Sequence, residues 1–137
     1  MTSAHIRQSD RTPIDRGNGA ATVQMLTPSE GAQDLVNGFT TLPPGRAIPL
    51  HYHNCEESVL IVEGTASVHV DGVQTDARTG DVIWIPADIP HFFANPSPTD
   101  ALRIFWTYAS AQATRTLVES RKTGRIFAES PPEGALK

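Results

Sequence analysis

The sequence has a single cysteine, Cys55, so it can close no internal disulfide and gives no sign of an oxidising compartment. No apolar run approaches bilayer-spanning length, and the opening MTSAHIRQSD lacks the apolar stretch of a secretory signal. A cytoplasmic protein with no membrane partner is the expectation. Proline (eleven) and glycine (ten) are too few among 137 residues for collagen or low-complexity chain. No internal repeat and no heptad run is present, which excludes solenoids and coiled coils. Positive charge is scarce where it would matter for nucleic acid. Between residues 17 and 114 only Arg46, Arg78 and Arg103 are basic against ten acidic residues, a net −7, within a chain of net −4. An acidic centre repels phosphate backbones, so no nucleic-acid partner is expected. The remaining basic residues, Arg115 among them, are dispersed over the two ends and read as solvated flanks.

What is present is a series of short β-branched and aromatic runs separated by turn signals. Residues 1–20 are polar and aperiodic, an arm that is loose or packed late against the domain. Runs then follow at 21–26, 35–42, 58–62, 65–70, 73–77, 82–85 and 101–108, punctuated by Pro, Gly and Asp. This spacing predicts an all-β sandwich or barrel over 21–108. Asp71-Gly72 marks a two-residue hairpin, because a type I′ turn needs positive φ at both centres. Val59–Val62 and Val82–Ile85 are apolar on both faces, as expected of strands covered on both sides, with a partner subunit as one possible cover. The tail, 109–137, is expected to hold a short helix around Ala111–Val118 followed by irregular chain.

Three of the five histidines fall in a suggestive arrangement. His51 and His53 are two apart, so on an extended strand both imidazoles leave the same face. Glu57 follows across Asn54-Cys55-Glu56, and His91 comes after Pro86-Ala87-Asp88-Ile89-Pro90. Three imidazoles and one carboxylate suit Fe, Mn, Ni, Zn or Cu better than Mg or Ca. Glu56 would point to the opposite face from Glu57. Cys55 could approach the ion as a soft ligand, but a small buried filler is the preferred reading. His69 alternates with Thr65 and Ser67 on a polar face and is expected to meet solvent. His5 is given no role, and Asn95 is read as a structural hydrogen-bonding residue. Most of the aromatic residues are assigned to core or interface. Arg46 and Arg103 are the central cations best placed by strand proximity to receive a substrate carboxylate, with surface salt bridging the preferred reading.

These residues resemble a known family. Gly45-(five residues)-His51-x-His53-(three)-Glu57-(six)-Gly64 matches the first cupin motif at every fixed position. Gly80-(five)-Pro86-x-Asp88-(two)-His91-(three)-Asn95 matches the second, except that Asp88 stands where the family usually has glycine. Asp tolerates left-handed backbone better than most residues, so the departure bears on turn geometry more than on metal binding. The resemblance implies a conical cupin β-barrel of the jelly-roll type with short irregular flanks. It also implies one divalent metal held by His51, His53, Glu57 and His91. It leaves the substrate open, because cupins include dioxygenases, isomerases, epimerases, lyases, decarboxylases and binding domains. No general base is evident beside the four ligands, which favours a dioxygenase-like oxidoreductase on a small molecule. The alternatives are a Lewis-acid isomerase, epimerase or lyase on a sugar or keto acid, and a non-catalytic binding module. A homodimer is expected.

Overall fold

Antiparallel pairing of short strands produces two six-stranded sheets in the computed structural model, which describes residues 3–127. With strands numbered in chain order, the first sheet runs β1 (Ile14–Gly17), β2 (Ala20–Gln24), β3 (Val36–Leu42), β10 (Leu102–Tyr108), β5 (Glu57–Glu63), β8 (Val82–Ile85). The second runs β12 (Thr123–Arg125), β11 (Thr114–Leu117), β4 (His51–His53), β9 (His91–Ala94), β6 (Thr65–Val70), β7 (Val73–Arg78). The architecture is the all-β one that the run spacing predicts.

Period-two alternation decides what faces inward. In β3 and β10 every second residue is buried, which sends Val36, Leu42, Leu102, Ile104, Trp106 and Tyr108 to the interior. Val59 and Ile61 of β5 and Val68 and Phe93 of the second sheet meet them. Each such side chain contributes about 1.5–3 kcal/mol by leaving water. The β6–β7 hairpin turns at Asp71 (φ 51°) and Gly72 (φ 78°), both left-handed as a type I′ turn demands. Gly64 (φ 88°) lies so close to β10 that an added Cβ would fall 2.5 Å from the Ala101 carbonyl oxygen.

The described part of the polar arm is packed against the domain. Residues Ile14–Gly17 form a hairpin with β2, and Arg11 donates to the Met25 carbonyl (2.6 Å) and pairs with Glu30 (3.0 Å). Glu30 in turn closes a capping box with Thr27 on a single 3-10 turn. The helix expected around Ala111–Val118 is not formed. Residues Thr114–Leu117 are strand β11, pairing with β4 on one side and β12 on the other. The β-branched Thr114, Thr116 and Val118 favour extended chain, and the edge of β4 supplies partners that an isolated turn of helix would lack. Residues 128–137 of the expected tail lie outside the described residues. Among the described residues the double coverage expected for β5 and β8 is absent: Leu60 is 37% exposed, Val82 63% and Trp84 62%. Among the described residues no helix is long and apolar enough to cross a membrane.

Candidate metal centre

The four predicted ligands converge between the two sheets. His51 and His53 are both buried on the inward face of β4, with Tyr52 turned the other way. His91 opens β9 directly opposite His51, and their rings lie 4.4 Å apart between centroids. Glu57 reaches in from the start of β5 in the other sheet. The ligand atoms of all four residues lie within 4.8 Å of one another, and all four residues are buried. Asp88 adopts the left-handed conformation that a glycine would take there (φ 64°), and its N–H donates to the His53 carbonyl (2.7 Å). The turn that delivers His91 is thereby pinned to the strand carrying His53.

The outer nitrogens of the imidazoles are committed. Nδ1 of His51 lies 2.6 Å from the Pro49 carbonyl, Nδ1 of His53 3.0 Å from that of Thr114, and Nδ1 of His91 2.8 Å from that of Ile89. A carbonyl only accepts, so each Nδ1 carries the proton and each Nε2 presents a lone pair to the centre. Glu57 Oε1 lies 3.0 Å from Nε2 of His91 and 3.3 Å from Nε2 of His53. Lone pairs facing one another at that distance require a cation between them, a proton or a metal ion. The backbone-oriented imidazoles and the carboxylate fit a divalent transition ion, since such outer partners fix tautomer and ring direction.

Two further side chains belong to this neighbourhood, and strand register is the signal that finds both. Tyr108 sits opposite Glu57 across β10 and β5, is fully buried, and hydrogen-bonds the Glu57 carboxylate. Burial, then the Glu57 charge, pushes its phenol well above the ordinary range, and its ring packs 4.5 Å from that of His53. Arg115 sits opposite His53 across β11 and β4 and is only 3% exposed. Burial lowers its guanidinium to about 10. Sequence reading assigned Arg115 to a solvated flank because β11 was not recognised as a strand.

The remaining candidates are disposed as follows. Cys55 is half-buried filler packed against the core, outside the ligand cluster, with its thiol pushed up by burial. Glu56 points outward and accepts from the Trp84 indole (2.9 Å). Asn95 is buried and structural, donating to the carbonyls of Leu42 (3.1 Å) and Asp100 (2.8 Å). His69 stacks on Phe92 (4.1 Å) and hydrogen-bonds Ser67, away from the centre. Arg103 does not turn inward. Its guanidinium lies 3.9 Å above the Phe39 ring on the outer face of the first sheet. Arg46 belongs to the connection before β4, tied by its backbone to Asn95.

Comparison with known proteins agrees with this geometry. The family model "Cupin domain" matches residues 38–108. The protein SchB of Streptomyces halstedii is 35% identical over 104 residues, covering 74% of this chain and 75% of SchB. The polyketide synthase CurC of Streptomyces cyaneus is 34% identical over 93 residues, 66% of this chain and 60% of CurC. The dimethylsulfoniopropionate lyase DddW of Ruegeria pomeroyi is 33% identical over 79 residues, 58% of this chain and about half (51%) of the lyase. Among solved structures, the polyketide cyclase RemF of Streptomyces resistomycificus aligns over 96% of this chain and 90% of its own, with TM-score 0.71 at 18% identity, a likeness of fold. By its matched domain, its curated relatives and the paired sheets that enclose three histidines and a glutamate, this chain belongs to the cupin family.

Proposed function

We propose that the protein is a metal-dependent enzyme of non-redox type, a lyase or cyclase acting on a small oxygenated molecule. The observation that carries this reading is the buried cluster of three Nδ1-tethered imidazoles and one carboxylate. His51, His53, His91 and Glu57 would hold one divalent ion, which when bound polarises a carbonyl or carboxylate oxygen as a Lewis acid. The side chains do the rest. The backbone carbonyls behind the imidazoles keep their lone pairs aimed inward. Tyr108 fixes the Glu57 carboxylate and, as a donor, holds it against drifting from the cluster. Burial of all four ligands removes bulk water from the centre and strengthens each of these interactions. The names of the relatives DddW and CurC favour elimination or carbonyl chemistry over oxygen insertion.

Dioxygen chemistry is the second reading, favoured by the donor count. Four protein ligands on an octahedral ion leave two positions, enough for a chelating substrate or for substrate plus oxygen. One experiment separates the two. The protein is purified without added metal, its metal content determined, and zinc- and iron-loaded samples assayed under nitrogen and in air. The assay panel comprises β-substituted carboxylates, β-keto esters and catechols. Turnover under nitrogen by the zinc-loaded protein is the expected result. Turnover confined to iron-loaded protein, with matching oxygen uptake, overturns the non-redox reading.

The assembly we propose is a homodimer formed through the outer face of the first sheet. Val82, Leu60, Phe105, Phe39 and Val23 are cross-strand neighbours over five strands, an apolar row, with the Arg103 guanidinium over Phe39, that a second copy could cover. Gel filtration with light scattering tests it: a dimer is expected, and a monomer at micromolar concentration refutes it.

A further inference from the structure

A cavity of about 740 Å³ lies between the end of β2, the 3-10 turn at Pro28–Glu30, the 109–113 connection and the end of β12. None of the four clustered residues lines it, yet two chains of contact join it to them. Phe127 lines the cavity and packs on Trp106 (6.0 Å between centroids). Trp106 stacks on Tyr108 (5.0 Å), whose ring lies 4.5 Å from that of His53. The second chain starts at Gln112, whose carbonyl accepts from the Asn54 carboxamide (3.2 Å). Asn54 accepts in turn from the Thr114 N–H (2.8 Å), and the Thr114 carbonyl holds Nδ1 of His53 (3.0 Å). The volume is that of a site for a small molecule.

The polar groups of the lining divide into those already engaged and those available. The Thr27 and Ser29 hydroxyls donate to Glu30 (3.0 and 2.9 Å), and Glu30 is itself paired with Arg11 (3.0 Å). Among the described residues, the side chains of Gln24, Gln112 and Arg125 have no hydrogen-bond or ion-pair partner. Arg125 is the one charged residue of the lining. Its planar guanidinium matches the two oxygens of a carboxylate. A carboxamide offers donors and an acceptor together, which suits a hydroxyl or carbonyl oxygen. The Phe127 ring supplies an apolar wall for another ring. We propose that this cavity binds a small ring-bearing carboxylate, with Arg125 on the carboxylate, Gln24 and Gln112 on an oxygen substituent, and Phe127 against the ring. The site stands on the cavity and its donors and needs no metal ion, so it goes beyond the metal-dependent reading above.

The test is calorimetry of the full chain with para-hydroxybenzoate, its neutral analogue para-hydroxybenzamide, and acetate, which lacks the ring. Metal-loaded and chelator-treated protein are titrated in parallel, with metal content measured in each. Wild type is expected to bind para-hydroxybenzoate in both forms with a Kd of about 1 mM or tighter. The amide and acetate should each bind at least about 10-fold more weakly. Arg125→Gln is expected to weaken para-hydroxybenzoate binding about 10-fold, to abolish the preference over the amide, and to leave metal content unchanged. Gln112→Ala should weaken binding several-fold. Both residues are exposed, so neither substitution opens the core. No binding by wild type, equal affinity for acid and amide, or unchanged affinity in Arg125→Gln overturns the site. Binding that disappears on chelation places the carboxylate on the metal and overturns it too. If circular dichroism shows that Arg125→Gln does not fold, Gln112→Ala decides, and unchanged affinity there overturns the site. A wild type that takes up no metal while binding para-hydroxybenzoate through Arg125 sinks the metal-dependent reading and leaves this site standing. Metal uptake without Arg125-dependent binding does the reverse.

Discussion

Gly38→Ala probes how the first sheet supports the centre. A Cβ at this position would fall 2.6 Å from Cζ2 and 2.8 Å from Cη2 of Trp106, and 2.6 Å from the Val23 carbonyl oxygen. All three contacts are shorter than real Cβ atoms tolerate. The Val23 oxygen is part of the β2–β3 ladder, so the indole must move. Trp106 has nowhere free to go: it is 1% exposed, its indole N–H donates to Thr40 (2.8 Å), and it stacks on Tyr108 with 5.0 Å between centroids. Overpacking of this kind costs about 1–3 kcal/mol, and a strained or broken indole hydrogen bond adds about 1 kcal/mol. A loss of about 2–4 kcal/mol corresponds to a fall in Tm of about 6–16 °C for a chain of this size. Because Tyr108 rests on His53 and holds Glu57, the displacement should also weaken metal affinity, by about tenfold on the scale seen when outer partners are lost. Thermal melts of metal-free protein give the first quantity and chelator competition the second. A Tm within 2 °C of wild type would show that the close packing of Trp106 on β3 is not what holds this wall, and the link to the centre would fall with it.

Four other outcomes follow from particular contacts. His91→Ala and His51→Ala should each abolish stoichiometric metal uptake and, at about 100-fold excess of metal over Kd, forfeit about 2.7 kcal/mol of ligand-linked stabilisation; full retention of metal in both would refute the ligand set. Asp88→Gly should change stability by less than about 1 kcal/mol, because relief of the left-handed backbone offsets glycine's added chain entropy. Asp88→Val, a β-branched residue at positive φ, should destabilise clearly; equal melts for the two variants would contradict that account. Burial raises the Cys55 thiol, so the folded chain keeps this proton to higher pH than the unfolded chain. Its contribution to stability is full below the ordinary thiol pKa and is lost as pH rises through the raised value. Reaction of Cys55 with a disulfide reagent at pH 8 should therefore be slower in native protein than in denaturant, and equal rates would refute the buried-thiol reading. Finally, Trp84→Asp on the exposed outer face should shift a dimer to monomer in gel filtration without lowering metal content, and an unchanged elution volume would place the interface elsewhere.

How much of this molecule could be read beforehand depended on whether a residue's role was local. Thr65–Val70 and Val82–Ile85 form strands with the bounds expected, and Asp71-Gly72 turns as expected, because alternation and positive φ are properties of a few neighbouring residues. The cluster of His51, His53, Glu57 and His91 was legible for the same reason, since the spacing within each motif is short. β9 did not stand out, because a four-residue strand headed by histidine shows no apolar period, and β11 was misread because one of its two partners is β4, more than sixty residues earlier in the chain. That one error hid Arg115. Once β11 is a strand in register with β4, Arg115 must share the inward face of His53, and a residue counted as flank charge becomes a buried cation opposite His53. Likewise Tyr108 lay in a predicted strand, but only the β5–β10 register places its hydroxyl against Glu57. The four clustered residues are a property of sequence motifs, whereas the residues packed around them are a property of strand pairing. For that reason substitutions at Tyr108 and Arg115 test the surroundings of the centre, which substitutions within the cluster of three histidines and one glutamate leave untested.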